Sequence, residues 1–457
     1  MSGSLVVEEL GPGNRGSHMR IVIIGVGHVG LVTAACLAEW GHDVVGVDAD
    51  ESRIELLLHG TLPFHEPGLD ELVARGRAAG RLTFVADVGR ALEGAAAAFV
   101  CVGTPSLPGG GADLRYVESV TRQVARLATD ELVLIEKSTV PAQTGAKMAA
   151  VIEQERVRQG GGPRVLVASN PEFLQEGSAL ADTLHPDRIV IGANDTEALA
   201  TLRRIYERPA ADGVPLIETD VPTAELIKHA SNAFLATKIS FVNAVARICE
   251  AVDADVEMVA DGMGLDPRIG PEFLRAGLGF GGSCFPKDLE AFAHLARQVG
   301  YDFRLLEEVL RINEEPLQRV MDLLWDELWH LEGKTVALLG AAFKPGTDDL
   351  REAPALKLGE RLLAEGAQVR IYDPVALDEA AAALPKASVH PDPVEACEGA
   401  YAAIVCTEWP QIAALRPGQL IEALHHPVLI DARNVFAPDE MAAQGLHYHA
   451  LGRGASR

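Results

Sequence analysis

The chain has 457 residues, 48% of them hydrophobic and 23% charged, and this length and composition predict about three globular domains. The formal net charge of −25 argues against a nucleic-acid or membrane surface, so an anionic ligand would need locally clustered Lys and Arg. No apolar run approaches the ~20 residues that span a bilayer. We therefore expect neither nucleic acid nor membrane as a partner.

The six cysteines are scattered along the chain, with no close CxxC pair and no neighbouring His in metal-ligand spacing. This pattern predicts reduced thiols in a cytoplasmic protein, without a disulfide framework and without a metal site. Residues 1–18 lack the layout of a signal peptide and end in GSH before Met19, which is typical of an expression tag.

The first strand and helix carry a glycine pattern that is typical of dinucleotide binding. MRIVIIG at 19–25 predicts a buried parallel strand, and residues 31–40 predict a helix. Between them GVGHVG places three glycines in GxGxxG spacing, namely Gly25, Gly27 and Gly30. Glycines at these positions allow a tight turn, close approach of a pyrophosphate, and helix–strand packing.

An acidic residue follows the second predicted strand, which spans residues 43–47. Asp48 lies 18 residues after Gly30, near the offset expected for an acid that binds a ribose. Its charge would repel a 2′-phosphate, which favours NAD over NADP. Arg53 could reach the pyrophosphate or pair with an acid.

Further strands are predicted at 82–85, 98–102, 132–136, 165–168 and 188–191. Polar segments follow three of them, GTPSLPGGGAD, KSTVPAQTG and SNPEFLQEG. Because ligands bind beyond the carboxyl ends of strands in an open parallel sheet, four side chains become candidates to face one crevice: Thr104, Thr139, Glu172 and Glu176. The alternative for either threonine alone is a cap or turn residue.

A helix of ~30 residues, or ~45 Å, is predicted from Thr219 and Asp220 to about Val252. Lys228 and Asn232 have i, i+4 spacing and share one face, where an ammonium and an amide could stabilise an oxyanion. An ordinary surface is the alternative. A second interdomain helix is predicted over residues 305–331.

The stretch GLGFGGSCFPKD at 277–288 surrounds one cysteine with glycines. It predicts an exposed thiol on a bent loop, and Lys287, three residues after Cys284, could favour the nucleophilic thiolate. The alternative is a glycine-rich turn with an inert buried cysteine. A helical pattern resumes at 288–298.

The last part repeats the strand–helix–strand pattern, with strands at 334–340, 369–372, 402–406 and 428–430 and a helix at 353–365. The glycine fingerprint is missing, and the longer loop FKPGTDDLREAP carries Lys344 and Arg351. The fold predicted is α/β, with two Rossmann-like, doubly wound domains joined by a central helical domain. The domains expected after the tag are 19–218 (NAD binding), 219–331 (central, dimerisation) and 332–457 (nucleotide-sugar binding). The alternative is that the last domain serves only in assembly of the protein and binds no nucleotide.

These segments together resemble the nucleotide-sugar dehydrogenases, the UDP-glucose/GDP-mannose dehydrogenase family. The matching stretches, in the order of the family and over nearly the whole chain after the tag, are GVGHVG, VDADESRI, STVP, NPEFLQEG, PDRIVIG, AELIKHASNAFLATKISFVN, DPRIG, GFGGSCFPKD, FKPGTDDLREAP and DARN. The cysteine segment is the most specific and is typical of the UDP-glucose branch.

The resemblance implies that two NAD⁺ oxidise UDP-glucose to UDP-glucuronate through a cysteine thiohemiacetal and thioester. Cys284 is then the nucleophile, and Lys228 and Asn232 stabilise the oxyanion. Asp288 holds a water, Glu172 assists hydrolysis and Thr139 positions that water. Another nucleotide sugar, such as GDP-mannose or UDP-galactose, is the close alternative.

The resemblance also implies two binding sets and a homodimer in which Arg268 reaches across the interface. The residues implied for the sugar nucleotide are Phe173, Leu174, Glu176, Lys228, Asn232, Arg268, Phe280, Gly281, Lys344 and Arg433. Those implied for NAD are Gly25, Gly27, Val29, Gly30, Asp48, Arg53, Thr104, Thr139, Glu176 and Arg351. Two other classes stay open: a simple β-hydroxyacid dehydrogenase and a non-catalytic nucleotide sensor.

Overall fold

A computed structural model describes residues 18–454, so nearly all of the expected tag lies outside the described part of the chain. The described chain consists of an α/β part, a helical part and a second α/β part, which confirms the predicted fold class. None of the helices in residues 18–454 combines the length and apolar character needed to cross a membrane.

The first α/β part is built on an eight-stranded sheet. Its strands are β1 (Arg20–Ile24), β2 (Asp43–Val47), β3 (Leu82–Val85), β4 (Ala97–Val100), β5 (Leu132–Glu136), β6 (Val165–Ser169), β7 (Ile189–Ala193) and β8 (Leu216–Thr219). Their order is β3-β2-β1-β4-β5-β6-β7-β8. The predicted strands agree with these bounds to within two residues.

One pair of neighbouring strands departs from the expected parallel sheet. The strands from β3 to β6 are parallel, but β7 pairs antiparallel with β6 and then parallel with β8. Residues 170–188 join β6 to β7 and are long enough for a parallel crossover. Their single helix has six residues, Ala179–Leu184, and the chain returns antiparallel to β6.

Helices cover both faces of the first sheet. They are α1 (His28–Glu39), α2 (Glu51–His59), α3 (Leu69–Ala78), α4 (Val88–Leu92), α5 (Arg115–Leu127), α6 (Thr144–Arg158), α7 (Ala179–Leu184), α8 (Thr196–Ile205) and α9 (Glu207–Ala211). Successive residues of β1 belong to different cores, with Ile21 and Ile23 on one face and Val22 and Ile24 on the other. This burial on both faces explains why β1 is a continuous β-branched run.

The helical part begins with a 32-residue helix, α10 (Val221–Val252), as predicted. Asp220 caps it by accepting a hydrogen bond from the Thr223 N–H, and Pro222 lies in its first turn. Four helices follow: α11 (Val256–Gly264), α12 (Phe285–Gln298), α13 (Arg304–Asn313) and α14 (Glu315–Leu328).

The prediction of one helix over 305–331 is wrong, because α13 and α14 are separate helices that meet at Glu314. Pro316 explains the break. Its ring would clash with the carbonyl of Ile312 in a continuous helix, and it has no N–H to donate. Proline is tolerated instead in the first turn of α14.

The second α/β part contains six parallel strands in the order β11-β10-β9-β12-β13-β14. The strands are β9 (Thr335–Leu339), β10 (Gln368–Tyr372), β11 (Ser388–His390), β12 (Ala402–Val405), β13 (Val428–Asp431) and β14 (His447–Ala450). The helices are α15 (Pro354–Ala364), α16 (Leu377–Ala383), α17 (Pro393–Cys397), α18 (Pro410–Ala413), α19 (Pro417–Ala423) and α20 (Pro438–Ala443). This order is that of a doubly wound nucleotide-binding sheet.

The two α/β parts touch at a pair of glycines. A Cβ on Gly177 would lie 2.9 Å from the carbonyl carbon of Gly346, so the two backbones are in direct contact. Nearby, the His65 N–H donates to Asp348 Oδ2 at 3.0 Å. The contact lies beyond the carboxyl ends of β6 and β9, so the crevices of both sheets open toward each other.

Candidate active site

The long helix α10 presents a buried lysine and a buried asparagine on one face, as the i, i+4 spacing predicts. Lys228 and Asn232 are both buried, which excludes the alternative of an ordinary surface. Lys228 Nζ lies 2.8 Å from Oε1 of the buried Glu172, which follows the end of β6. The tertiary fold therefore brings together residues that are far apart in sequence.

Asp288 completes the polar face from the first turn of α12. It is buried, and its Oδ2 accepts a hydrogen bond of 2.6 Å from Asn232 Nδ2. Burial alone would raise the pKa of Asp288, but the charges of Lys287 and Lys228 outweigh it and hold that pKa below its usual value. Asp288 is thus ionised although it is buried.

Cys284 is the N-cap residue of α12 and is half-buried. Burial of the sulfur and the negative charge of Glu172 raise the pKa of Cys284 to about 11, and Lys228 opposes that rise. Ser283 Oγ lies 3.7 Å from its Sγ. The Asp288 N–H donates to the Cys284 carbonyl at 2.9 Å, so Cys284 lies one helical turn before Asp288.

Lys287, which was predicted to favour the thiolate, is engaged with other groups. Its Nζ pairs with Asp288 Oδ1 at 2.9 Å and donates to Thr104 Oγ1 at 3.3 Å. The cation that lowers the pKa of Cys284 is Lys228, on another helix. Three residues after the N-cap, the lysine side chain is directed to the neighbouring carboxylate rather than to the sulfur.

Thr104 and Thr139 lie side by side at the carboxyl edge of the first sheet. Thr104 Oγ1 donates to the Thr139 carbonyl at 2.8 Å while accepting from Lys287. Two of the polar segments that follow separate strands therefore meet here, as expected for a parallel sheet.

Sequence reasoning missed a polar group beneath Glu172. Buried Lys137 donates to Asn170 Oδ1 at 3.0 Å, and the Tyr206 hydroxyl donates to the same oxygen. With Glu172 and Phe173 these side chains line a cavity of about 60 Å³. The signal was the position of Lys137, directly after the buried strand β5.

The glycine-rich turn after β1 has the shape of a phosphate cradle. A Cβ on Gly25, whose φ is +96°, would lie 2.6 Å from the Cys101 carbonyl oxygen, and one on Gly30 would lie 1.8 Å from the Gly25 oxygen. A Cβ on Gly27 would meet nothing within 4 Å, so this glycine faces open space at the start of α1. Two glycines thus serve packing and the third leaves room for a ligand. Val29 lies in the first turn of α1, where its carbonyl accepts a hydrogen bond from Thr33 Oγ1 at 2.7 Å.

Asp48 accepts hydrogen bonds from the backbone of the glycine-rich turn and from Arg53. Its Oδ2 accepts from the Val26 N–H at 2.9 Å and from Arg53 Nη1 at 2.9 Å. Of the two roles predicted for Arg53, pairing with an acid is the one observed. Arg53, the first positively charged residue after Asp48 in the sequence, is therefore paired with the carboxylate that would contact a ribose.

Phe173 and Leu174 lie directly beside the Glu172–Lys228 pair. The Phe173 ring has the Arg188 guanidinium 4.1 Å and Lys228 Nζ 5.5 Å from its centroid. The Leu174 N–H donates to Glu172 Oε2 at 2.9 Å, which fixes that carboxylate.

Glu176 and Arg351 join the two α/β parts across the crevice. Arg351 Nη2 lies 3.2 Å from Glu176 Oε1, and Arg351 Nε donates to Asp349 Oδ1 at 2.8 Å. Burial and the charge of Asp349 raise the pKa of Glu176 to about 8, although the charge of Arg351 opposes that rise. Burial lowers the pKa of nearby Lys344, while the charge of Glu176 opposes that change.

The cysteine loop packs closely against the second α/β part. Phe280 is buried, and its N–H and carbonyl bond the Asn313 side chain at 2.8 and 3.0 Å. A Cβ on Gly281 would lie 2.5 Å from the Glu352 carbonyl oxygen. Arg433, after β13, donates from Nε to the Cys406 carbonyl at 2.7 Å and from Nη2 to the Phe343 carbonyl at 3.3 Å.

Three family models match the chain in the order of its three parts. Residues 19–210 match the NAD binding domain of the UDP-glucose/GDP-mannose dehydrogenase family, residues 222–315 match its central domain and residues 337–438 match its UDP binding domain. The chain belongs to the UDP-glucose/GDP-mannose dehydrogenase family.

Individual relatives of this family match over nearly their whole length. The chain is 43% identical to UDP-glucose 6-dehydrogenase TuaD of Bacillus subtilis over 439 residues, 96% of this chain and 94% of that protein. It is 43% identical to a UDP-glucose 6-dehydrogenase of Pseudomonas aeruginosa over 446 residues, 95% of this chain and 98% of that protein. A UDP-glucose dehydrogenase structure from Pyrobaculum islandicum matches with a TM-score of 0.89 and 39% identity, over 97% of this chain and 100% of that chain.

Membership of the dehydrogenase family confirms NAD as the cofactor and identifies the second α/β part as a UDP-binding domain. The six cysteines, all within the described residues, are free, as predicted. Arg268 is the residue predicted to reach across a subunit interface. Its side chain is 87% exposed and pairs with Asp266 at 2.6 Å.

Proposed function

We propose that this dehydrogenase oxidises UDP-glucose to UDP-glucuronate in two steps, with Cys284 holding the sugar between them. The observation that carries the proposal is the buried set of Lys228, Asn232, Glu172 and Asp288 where β6, α10 and α12 meet, with Cys284 one helical turn before Asp288. The relatives named as UDP-glucose 6-dehydrogenases support the substrate.

The cofactor fits the first sheet, because the turn around Gly27 is open and Asp48 follows β2. When bound, NAD⁺ accepts the hydride lost from C6 of the sugar in each oxidation. Burial would lower the pKa of Lys228, but Glu172, Asp288 and Cys284 outweigh it and raise that pKa. Lys228 is therefore an ammonium that donates to the substrate oxygen, and the alcohol proton passes to one of the two carboxylates, Glu172 or Asp288.

The second half of the reaction proceeds on the sulfur. The thiol loses its proton to a carboxylate and adds to the aldehyde carbon, and the oxyanion that forms accepts from Lys228 and Asn232. Loss of hydride from this thiohemiacetal gives a thioester. Water, losing its proton to Glu172 and positioned beside Thr139, attacks the acyl carbon, and the thiolate leaves. One alcohol, one water and two NAD⁺ become one carboxylate, two NADH and three protons.

The test is stoichiometry combined with mass spectrometry of the enzyme. We expect two NADH per UDP-glucose consumed, no free aldehyde, and a sugar ester on residue 284 of a Cys284→Ser or Lys228→Ala variant. One NADH per sugar would contradict the proposal. Initial rates with UDP-glucose, UDP-galactose and GDP-mannose decide the nucleotide sugar, and faster turnover of either of the last two would replace UDP-glucose.

A single-step β-hydroxyacid dehydrogenase would also use a lysine and an asparagine on a long helix, but it has no use for a thiol. Undiminished turnover by Cys284→Ala would favour that class. Binding of NAD and UDP-glucose without any absorbance change would favour a non-catalytic sensor instead.

The predicted homodimer is supported by an exposed apolar stripe on α10. Phe234, Phe241 and Ile248 recur every seven residues and are 67%, 52% and 61% exposed. Such a stripe along one helix is typical of an interface between subunits. We expect light scattering to give twice the chain mass, and Phe241→Glu to give a monomer with reduced activity if Arg268 acts in the partner's site. A monomeric wild type would refute the dimer.

A further inference from the structure

A cluster of histidines surrounds one glutamate at the side of the second sheet that faces away from the crevice. Glu327 lies near the end of α14, His426 lies two residues before β13, and His447 and His449 lie on the edge strand β14. Val428 pairs with His447, so His426 and His447 lie at the amino ends of neighbouring strands. The active site lies at the opposite, carboxyl ends.

The side chains of this cluster converge on the two oxygens of Glu327. His447 Nδ1 lies 3.0 Å and His426 Nε2 lies 3.9 Å from Oε2, while His449 Nε2 lies 2.8 Å from Oε1. The ligand atoms of Glu327, His426 and His447 all lie within 4.8 Å of one another. Ligands ~2.0–2.1 Å from a tetrahedral ion lie ~3.3 Å apart, so small side-chain rotations would close this set around a metal.

The surroundings are an open cleft rather than a packed core. The cleft has a volume of about 300 Å³, and its wall includes Trp329, His330 and Tyr401 and also Lys334. His449 occupies Oε1 of Glu327 and leaves Oε2 directed at the other two histidines, which is how a neighbouring group orients a metal-binding carboxylate.

We propose that Glu327, His426 and His447 bind a divalent transition-metal ion of the zinc class, with His449 as the positioning residue for Glu327. Imidazole and carboxylate ligands suit zinc and its neighbours more than calcium or magnesium. The proposal departs from the sequence expectation of no metal, because these residues are up to 120 positions apart and share no motif. A bound ion would link the end of α14 to β13 and β14.

Isothermal titration of the metal-free full chain with Zn²⁺ at pH 7.5 tests this site. We expect one saturable ion per chain, and at least tenfold weaker binding in His447→Gln, His426→Gln and Glu327→Gln. His425→Gln is the matched control, since His425 packs on the Tyr401 ring and lies next to His426 without belonging to the cluster.

A thiol could also bind zinc, so the same titration is run on Cys284→Ala. Retained binding in that variant supports the proposal, and its loss there would place the ion at the catalytic thiol and overturn it. Equal affinity in His447→Gln and wild type, or no saturable binding, would also overturn it. Visible absorbance of bound Co²⁺, present in the Cys284→Ala variant and lost in His447→Gln, reports the histidine ligands independently of activity.

Discussion

Glu172 and Lys228 form a buried ion pair, with 2.8 Å between Oε1 and Nζ, that joins the end of β6 to the long helix α10. Breaking a buried pair by removing one partner leaves an uncompensated charge, so each residue depends on the other for its state. The pair also sets the electrostatic field at Cys284, because the carboxylate raises and the ammonium lowers the pKa of the thiol.

Lys228→Ala should reduce kcat by about 10²–10³-fold, the loss seen when one oxyanion donor is removed. KM for UDP-glucose should change less, because the loss is mainly in the transition state. Steady-state NADH production measures both parameters. Lys147→Ala, an exposed lysine on α6, is the control, and an equal loss in it would point to unfolding rather than catalysis.

The alkylation rate of Cys284 should rise about tenfold per pH unit from pH 7 to 10, because the pKa of its thiol is about 11 and only the thiolate reacts. Lys228→Ala should slow alkylation, since it removes the cation that lowers this pKa, and Glu172→Gln should accelerate it. Iodoacetamide labelling followed by peptide mass spectrometry gives the rates. An alkylation rate that reaches a plateau below pH 8 would contradict the pKa of about 11. Alkylation rates that change in the same direction in both variants would contradict the opposite effects of Lys228 and Glu172.

Asp48→Asn should lower kcat/KM for NAD by roughly tenfold or more, as expected when a charged hydrogen bond is lost. The same change releases Arg53 from its 2.9 Å pair, so the ratio of NADP to NAD activity should increase. Initial rates with each cofactor test both effects. Asp43→Asn, at the other end of β2, should leave the ratio unchanged.

Glu176→Gln should flatten the dependence of stability on pH. The pKa of Glu176 is raised from 4.5 to about 8, so its protonated form stabilises the fold at low pH and this contribution declines until the pH has risen through 8. Between pH 7 and 9 the wild type should lose roughly 1 kcal/mol from this group, or about 2–4 °C in thermal midpoint. Thermal scans at both pH values measure the loss. Glu55→Gln, an exposed residue of α2, should behave like wild type.

Local patterns were sufficient to predict most strands and the long helix. The apolar runs of β1 and β5 and the cap at Asp220 are determined by neighbouring residues. The reversal of β7 and the break at Pro316 were not predicted. The first depends on how residues 170–188 pack after β6, and a proline can either end a helix or begin one.

The partners of the site side chains could not be derived from spacing. Lys287 is near Cys284 in sequence, yet it pairs with Asp288 and Thr104, and the thiol receives its cation from Lys228. Asn232 was predicted to serve the oxyanion, but its bond to Asp288 is a tertiary contact that no local pattern encodes. The network of Lys137, Asn170 and Tyr206 was missed for the same reason.

The touching backbones of Gly177 and Gly346 impose a steric limit on how this protein can vary. A methyl group at position 177 would clash with the backbone of Gly346 and push the NAD-binding and UDP-binding parts apart. The distance between a dinucleotide bound to one part and a sugar nucleotide bound to the other would then increase. We therefore expect residues that line the crevice, and not positions 177 and 346, to vary when substrate preference changes in this family.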